Sequence, residues 1–512
     1  MNFNKKLAVA VSSAVLLMAG QVALADSTTD IVDALVMKGV LTEEEGKLIN
    51  KGHTSKTKAV PVVKEKDGAF ILESANEANS IQLTGRMHLD FRASSLDNDD
   101  LGMARADDRD TASVADQFEL RRARLGVKGK IAKDFKYEIV GNLPGTATLD
   151  VAYFDWAKYD AFQIRGGKFK QPFGLEELIS SNNITMMERS YLDQTVPGKK
   201  IGLQVMGSPA KGLTYALSTF QHNDNERDLN GDGYLSGAGR LTFNFAESMG
   251  DKESVMHIGV AGLENNYSAT ATTSSQTDTT LSSTARATIQ SFRSAGRGLN
   301  NIFRAQIHGE SLGASSLASN LEFGAKVQQR AYGLEGIFAR GPMKVMGEYS
   351  GGQYEASQTV SQMNFDTKTG YVEIGYFLTG EKYADSYKNG VFGGFKPKNN
   401  FDLDKGNLGA IELAFRAEGY RVDDTSYSGS ASSRFQGTLS GPTGSGVTSK
   451  ATTYTAGIRW LLNPNAIVKV NYAYTKLGNN YAPIDLEQSS GSGNSADVGA
   501  ESLFMTRLQY MF

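Results

Sequence analysis

Residues 501–512 read ESLFMTRLQYMF. Side chains alternate across a strand, so Phe504, Thr506, Leu508, Tyr510 and Phe512 share one face and Leu503, Met505, Arg507, Gln509 and Met511 the other. An aromatic, apolar face opposite one that carries Arg507 and Gln509 suits a strand with lipid on one side and water on the other, as in an outer-membrane β-barrel. A half-buried strand of a soluble sheet is the competing reading of this segment taken alone.

The opposite end of the chain separates the two. Residues 1–25 have the parts of a secretory leader: Lys5 and Lys6, an apolar run from Leu7 to Met18, and Ala23-Leu24-Ala25 before Asp26. No later stretch approaches the roughly 18 to 20 continuous apolar residues of a membrane helix, and the mean hydropathy is -0.32. A membrane crossing must therefore be made by a closed barrel, whose backbone groups pair with one another. The chain of 512 residues has no cysteine, which removes thiol catalysis, disulfides and cysteine-ligated metals. Its 55 Gly and 10 Pro, with 21 Tyr and 25 Phe, suit many strands joined by tight turns. Loss of Lys5 and Lys6 with the leader reduces 53 basic residues to 51, against 56 acidic ones. Net charge thus offers no simple argument for an anionic ligand, and no nucleic-acid partner is expected.

Three segments are expected: a leader at 1–25, a periplasmic helical segment with a linker at 26–72, and a barrel at 73–512. In IVDALVMKGVLTEEEGKLI, Ile31, Leu35, Val36, Leu48 and Ile49 take helical spacing around Gly39, and Thr42 with Glu45 forms a capping box. The polar stretch 53–66 reads as a linker or weakly ordered arm. Beyond it the period changes to two. About sixteen strands are expected near 81–92, 116–130, 133–143, 148–159, 162–169, 199–207, 212–221, 237–246, 254–262, 327–340, 342–350, 366–379, 407–421, 452–462, 465–476 and 501–512; eighteen is the alternative. Their links alternate between tight and long, as in a barrel with short periplasmic turns and long outer loops, which places both barrel ends in the periplasm. Two links break the parity: 143–148 is short and 380–406 is long. Residues 302–310 read as an extra strand or an inward-dipping loop, and Trp156, Trp460, Tyr472 and Tyr474 as an interfacial girdle.

At FELRRARLGVKGKI (118–131), IRGGKFKQPFGLEELISSNNITMMERS (164–190), YGLEGIFARGPMKVMGEY (332–349) and YFLTGEKY (376–383) the chain resembles the phosphate-selective porins O and P. The resemblance runs from about residue 81 to 512. It implies a sixteen-stranded transmembrane antiparallel β-barrel of the outer membrane, commonly a homotrimer, that passes small inorganic anions such as phosphate.

Basic side chains are the candidates for that work. On the 116–130 strand Arg122, Arg124, Lys128 and Lys130 lie opposite Ala123, Leu125 and Val127; Arg121 breaks the alternation, and a bulge would reconcile it with Arg122. The RRAR run resembles part of the family's arginine ladder, which carries Arg121 and Arg122 over as candidates. Guanidiniums in series match oxyanion geometry without one deep trap; pairing with lumen acids such as Glu138, Glu335 or Glu412 is the competing reading. The 170–198 loop is expected to fold inward as the constriction, with Lys168 and Lys170 at its entrance and Glu176, Glu177, Glu188 and Arg189 within it, the acids tying it to the wall. Arg293, Arg297 and Arg304 of the fifth outer loop line the vestibule in one reading and touch lipopolysaccharide phosphates in the other. Arg507 joins the pore set, while the aspartates of the first loop form an acidic patch facing outward or binding divalent cations.

DLNGDGYLSG places Asp228, Asn230 and Asp232 at calcium-loop positions, but Gly239 stands where the bidentate Glu belongs, so a plain polar turn competes with a structural calcium. No other cofactor is implied. The five histidines show no metal spacing, no catalytic arrangement stands out, and the chain does not read as an enzyme. The expected function is a passive, anion-preferring porin. A non-selective porin, an adhesin-like structural protein and, more remotely, an outer-membrane hydrolase are the alternatives.

Overall fold

The computed structural model describes residues 32, 35–49, 61–66, 68–96, 116–145, 147–222, 233–272, 286–299, 302–308, 322–357, 361–428, 434–436, 446, 448–481 and 498–512. The leader, the first-loop aspartates, and Asp228, Asn230 and Asp232 lie outside these residues. The chain divides into two compact units, residues up to Leu83 with Val127–Lys136, and Thr84–Gly126 with Tyr137–Phe512.

In the smaller unit the capping box forms as read: the Glu45 amide donates to Thr42 Oγ1 at 3.2 Å and the Thr42 amide to Glu45 Oε2 at 2.9 Å. The end of the 53–66 stretch forms one strand of a hairpin, Val62–Lys66 against Ala69–Glu73, in which Lys66 pairs with Ala69. The signal was present in the sequence as Asp67-Gly68, a two-residue hairpin link that needs positive φ; Gly68 has φ 74°. Ile71, Leu72 and Glu73 then pair with Gln82, Ile81 and Ser80.

Sixteen antiparallel strands close into a barrel. They are β1 (Ser80–Leu96), β2 (Gln117–Ile131), β3 (Phe135–Asn142), β4 (Thr148–Tyr159), β5 (Phe162–Lys170), β6 (Lys199–Ala210), β7 (Leu213–Gln221) and β8 (Ser236–Asn244), followed by β9 (Ser254–Thr272), β10 (Glu322–Arg340), β11 (Met343–Ser357), β12 (Gln362–Phe377), β13 (Ala410–Ser428), β14 (Ser449–Leu461), β15 (Ala466–Tyr481) and β16 (Val498–Met511). Closure is made by β16 on β1, in register from Glu501–Leu96 to Met511–Arg86, and Phe512 exchanges backbone hydrogen bonds with Gly85 at 3.0 and 3.1 Å. Phe504, Leu508 and Tyr510 face outward, and Leu503, Met505, Arg507 and Gln509 are buried inside, as the terminal alternation required. Trp156 packs edge-on against Tyr159 and Phe162, and Trp460 against Phe401.

The expected strands are all present, and several run further than their pattern indicated. β9 continues to Thr272, β11 to Ser357 and β13 to Ser428, while β10 begins at Glu322 and β12 at Gln362. The expected long link at 351–365 shrinks to 358–361. These extensions turn their apolar residues inward, because Tyr267, Tyr354, Phe365 and Val422 are buried inside. A three-stranded sheet covers them, made by Arg286–Phe292, Phe303–His308 and Arg434–Gln436, with Phe292, Phe303 and Phe435 in the same apolar cluster. The 302–310 segment is thus a strand of an inward hairpin and not of the barrel.

The long 378–409 link also folds back. Its Tyr383 hydroxyl meets Glu412, its Tyr387 hydroxyl lies 2.7 Å from His257 Nδ1, and Arg240 Nη2 donates to the Gly390 carbonyl at 2.8 Å. Phe392 and Phe395 pack with Phe377, Ile179 and Ile184, so the parity exception is a third filler of the barrel interior.

Candidate functional site

The link from Gln171 to Gly198 is held inside the barrel. Phe173, Leu175, Ile179, Met186, Met187 and Tyr191 are buried, which an outer loop in water would not achieve. Its amide groups and carbonyls are satisfied by side chains from the wall, as buried backbone requires. Glu348 of β11 accepts from the Leu175 and Glu176 amides at 2.6 and 2.7 Å and from the Tyr371 hydroxyl at 2.6 Å. Glu418 of β13 accepts from the Tyr191 amide at 3.0 Å. Arg459, Lys469, Arg507 and Gln509 donate to the carbonyls of Asn183, Ile184, Met187 and Asn182 at 2.6 to 3.0 Å. The loop therefore lies along the wall from β11 round to β16 and meets His88 of β1 at Asn182.

Most interior charges on that wall pair with one another. Lys344 sits 2.8 Å from Glu373, Arg416 2.7 Å from Glu418 and 2.9 Å from Glu176, Arg459 2.5 Å from Glu412, and Arg240 2.5 Å from Glu335. Their side chains are sealed: that of Arg416 is 2% exposed and that of Arg459 1%. Across the interior the bases keep partial access to solvent. The side chain of Arg121 is 22% exposed, Arg165 21%, Lys170 21% and Arg297 24%. These less buried bases lie on β2, on β5 and in the inward hairpin.

Among the interior bases, Glu188 is a hub. Its carboxylate takes Arg92 at 2.8 Å, Arg121 at 3.1 Å and Arg507 at 3.1 Å, with Arg297 of the inward hairpin at 3.9 Å. Burial pushes the Glu188 carboxyl up, but the guanidiniums of Arg121, Arg92, Arg507 and Arg122 outweigh it and hold the group well below the ordinary carboxylate range. Further along, Asp150 joins Arg124 at 2.9 Å to Lys199 at 2.5 Å, and Arg165 grips Asp155 at 2.7 Å while lying 3.9 Å over the Tyr153 ring.

The sequence candidates are sorted by these contacts. Arg121, Arg122 and Arg124 all turn inward, and the outward set changes parity between Leu120 and Leu125. Arg122 is buried, and its Nη1 finds no hydrogen-bond partner among the described residues. Lys170 donates to the Glu177 and Ile179 carbonyls and so braces the loop. Lys168 is half-buried and stands opposite Ala152 and Ile201 in the ladder. Glu176, Glu177 and Arg189 are structural ties, Arg189 bonding Glu177 at 3.0 Å and the Glu176 and Ile179 carbonyls at 2.9 Å.

Four calls change. Lys130 belongs to Glu73, 3.1 Å away in the smaller unit, because the lower end of β2 lies beside the hairpin that the pattern missed. Lys128 is half-buried in that same unit. Arg507 is fully buried behind the loop, bonded to both Asp90 oxygens at 2.7 Å, and faces no passage. In the hairpin, Arg293 is exposed and bonds Gln194 through its backbone, whereas Arg304 is half-buried opposite Ser291. Sequence reading missed Arg92, Arg165 and Lys199. Two had a signal: His88, Asp90 and Arg92 alternate with Leu89 and Phe91, and Arg165 with Ile164.

Residues 81–512 match the family described as phosphate-selective porin O and P. Porin O of Pseudomonas aeruginosa is 25% identical over 466 residues, 88% of this chain and 92% of that protein. Among solved structures, OmpT of Vibrio cholerae is 10% identical with a TM-score of 0.47, covering 88% of this chain and all of that one. An anion-selective porin from Comamonas acidovorans is 10% identical with a TM-score of 0.42, covering 85% of this chain and all of that one. Two of these relatives are named as porins and OmpT as an outer-membrane protein. With its closed barrel and a match that spans all sixteen strands, this chain belongs to the phosphate-selective porin O and P family of the outer membrane.

Proposed function

We propose that the protein is a passive diffusion channel that prefers anions and takes oxyanions of the phosphate type as its main cargo. The observation that carries this reading is the split between sealed ion pairs on the β10–β16 side and partly exposed bases on the β1–β6 side. A narrow passage walled by protein has a low dielectric, so the partly exposed guanidiniums there govern which ion enters. Arg122, with an unbonded donor, is the group best placed to replace part of an oxyanion's hydration.

Planar-bilayer recording across a salt gradient tests the proposal: the reversal potential should take the sign of anion selectivity, and a cation-selective sign would sink it. Low millimolar phosphate should reduce chloride current. An unaltered current would leave an anion-preferring porin without phosphate preference, a reading favoured by the acids Glu177 and Asp193 that the loop itself contributes.

Three copies are the proposed assembly, and phosphorylated lipids of the outer leaflet the proposed surroundings. In support, Lys368, Arg421 and Lys450 stand in one outward row across β12, β13 and β14. Like charges directly opposite one another are unfavourable unless an anion lies between them, and only Asp423 is bonded to two of the three.

A further inference from the structure

Glu188 is the carboxylate at the centre of a guanidinium cluster, two members of which, Arg121 and Arg297, have side chains 22% and 24% exposed. Five guanidiniums, those of Arg92, Arg121, Arg122, Arg297 and Arg507, gather around it, yet they depend on it unequally. Arg507 keeps both Asp90 oxygens and the Met187 carbonyl, and Arg92 keeps Asp90 at 3.1 Å and the Gly296 carbonyl at 2.5 Å. Arg121 bonds Glu188 alone among the described residues. Arg297 has its Nε and Nη1 unbonded, its nearest carboxylate being Glu119 at 3.5 Å, and Arg122 has its Nη1 unbonded. Three guanidiniums with spare donors therefore converge on one carboxylate at the edge of the passage.

We propose that Glu188 is a built-in counter-anion. A permeant oxyanion crosses this level by displacing the Glu188 carboxylate from Arg121, taking donors from Arg122 and Arg297 as it does so, and Glu188 then returns and releases it. The residue sets how weakly the channel holds its cargo. This inference rests on the anion-channel reading above.

The surroundings allow the exchange. The backbone on both sides of Glu188 is pinned without its side chain: Arg416 Nη1 donates to its carbonyl at 3.0 Å, Asn471 accepts from the Met187 amide at 2.7 Å, and Arg189 is anchored to the carbonyls of Glu176 and Ile179. The side chain can leave its partners while the loop keeps its place. A carboxylate and a phosphate oxyanion present the same forked acceptors to a guanidinium, so one substitutes for the other in geometry. A conducting site also has to release what it binds, and an internal competitor achieves this without discarding the basic charge that attracts the ion.

The test is bilayer recording of wild type and Glu188→Gln with inorganic phosphate as the probe. Removing the competitor should lower the phosphate concentration that halves chloride current by about tenfold, the scale of one hydrogen bond between charged groups. Anion selectivity should be kept. An unchanged or raised half-blocking concentration overturns the inference, as does a rise in conductance with loss of selectivity, because Glu188 would then serve only to hold the loop. Should that variant fail to fold, the charge-balanced pair Arg121→Gln/Glu188→Gln removes one guanidinium and its competitor together. Its half-blocking concentration should stay within about threefold of wild type, and tenfold tighter block there would place the site elsewhere. The wild-type reversal potential separates the two readings. A cation-selective wild type refutes the channel assignment itself, whereas an anion-selective wild type with an unaltered variant refutes only the role of Glu188.

Discussion

Arg122 and Arg416 are both buried arginines, and their partners give them opposite roles. Arg416 is fully compensated by Glu176 and Glu418, so it holds structure together; Arg122 has a donor to spare. Arg122→Ala should therefore leave folding intact, as judged by heat-modifiable migration, and weaken phosphate block by roughly tenfold. Arg416→Ala should strand two buried carboxylates, at about 3 to 5 kcal/mol. A lower unfolding temperature and a larger, less selective conductance should report it. Protonation acts at this scale as well. Because the Glu188 carboxyl is held below its ordinary value of 4.5, its competition with a permeant anion is fully present above that value and is lost as pH falls through the depressed one. The concentration of sulfate, which stays a dianion over this range, that halves chloride current should accordingly keep its neutral-pH level down to about pH 5 and fall only in stronger acid. The RRAR run was legible as basic, but not which arginine would be left without a partner, since the partners come from a loop about 65 residues further on.

Among the elements, the barrel strands were the most legible and the fillers the least. A strand such as β15 announces itself because Val468, Val470 and Tyr472 alternate with Lys469 and Asn471, and each face meets a different solvent. The upper ends of β9 to β13 hid themselves for the same reason in reverse. Their apolar residues face inward against the 286–308 hairpin, a neighbour that no local period encodes. The 378–409 link has the same character. Its length was visible as an exception, and its inward course depends on Tyr383 reaching Glu412 and Phe395 stacking 4.7 Å from the Arg459 guanidinium. Phe395→Ala should loosen this filler while the barrel stays folded. The expected readout is faster protease cleavage within 378–409 and a modest rise in conductance, and cleavage at the wild-type rate would count against the packing described here.

For the molecule as a whole, closure rests on the last strand. Phe512 pairs with Gly85 through the backbone and lays its ring where a Gly85 side chain would be, 2.4 Å from the position of an added Cβ. Gly85→Leu and deletion of Phe512 should both reduce the yield of folded barrel, measured as the heat-modifiable fraction after outer-membrane extraction, with little change in single-channel selectivity for the molecules that do fold. The sequence by itself determined the barrel, a strand number of sixteen or eighteen, the face most strands turn to lipid, and the basic character of β2, because a period of two read against lipid and water is a local property of the chain. Only the tertiary structure decided where the passage runs. Three segments distant in sequence, the 171–198 loop, the 286–308 hairpin and the 378–409 link, fill one side of the interior and neutralise the charges there, and such pairing depends on distances in space that alternation along a strand does not specify.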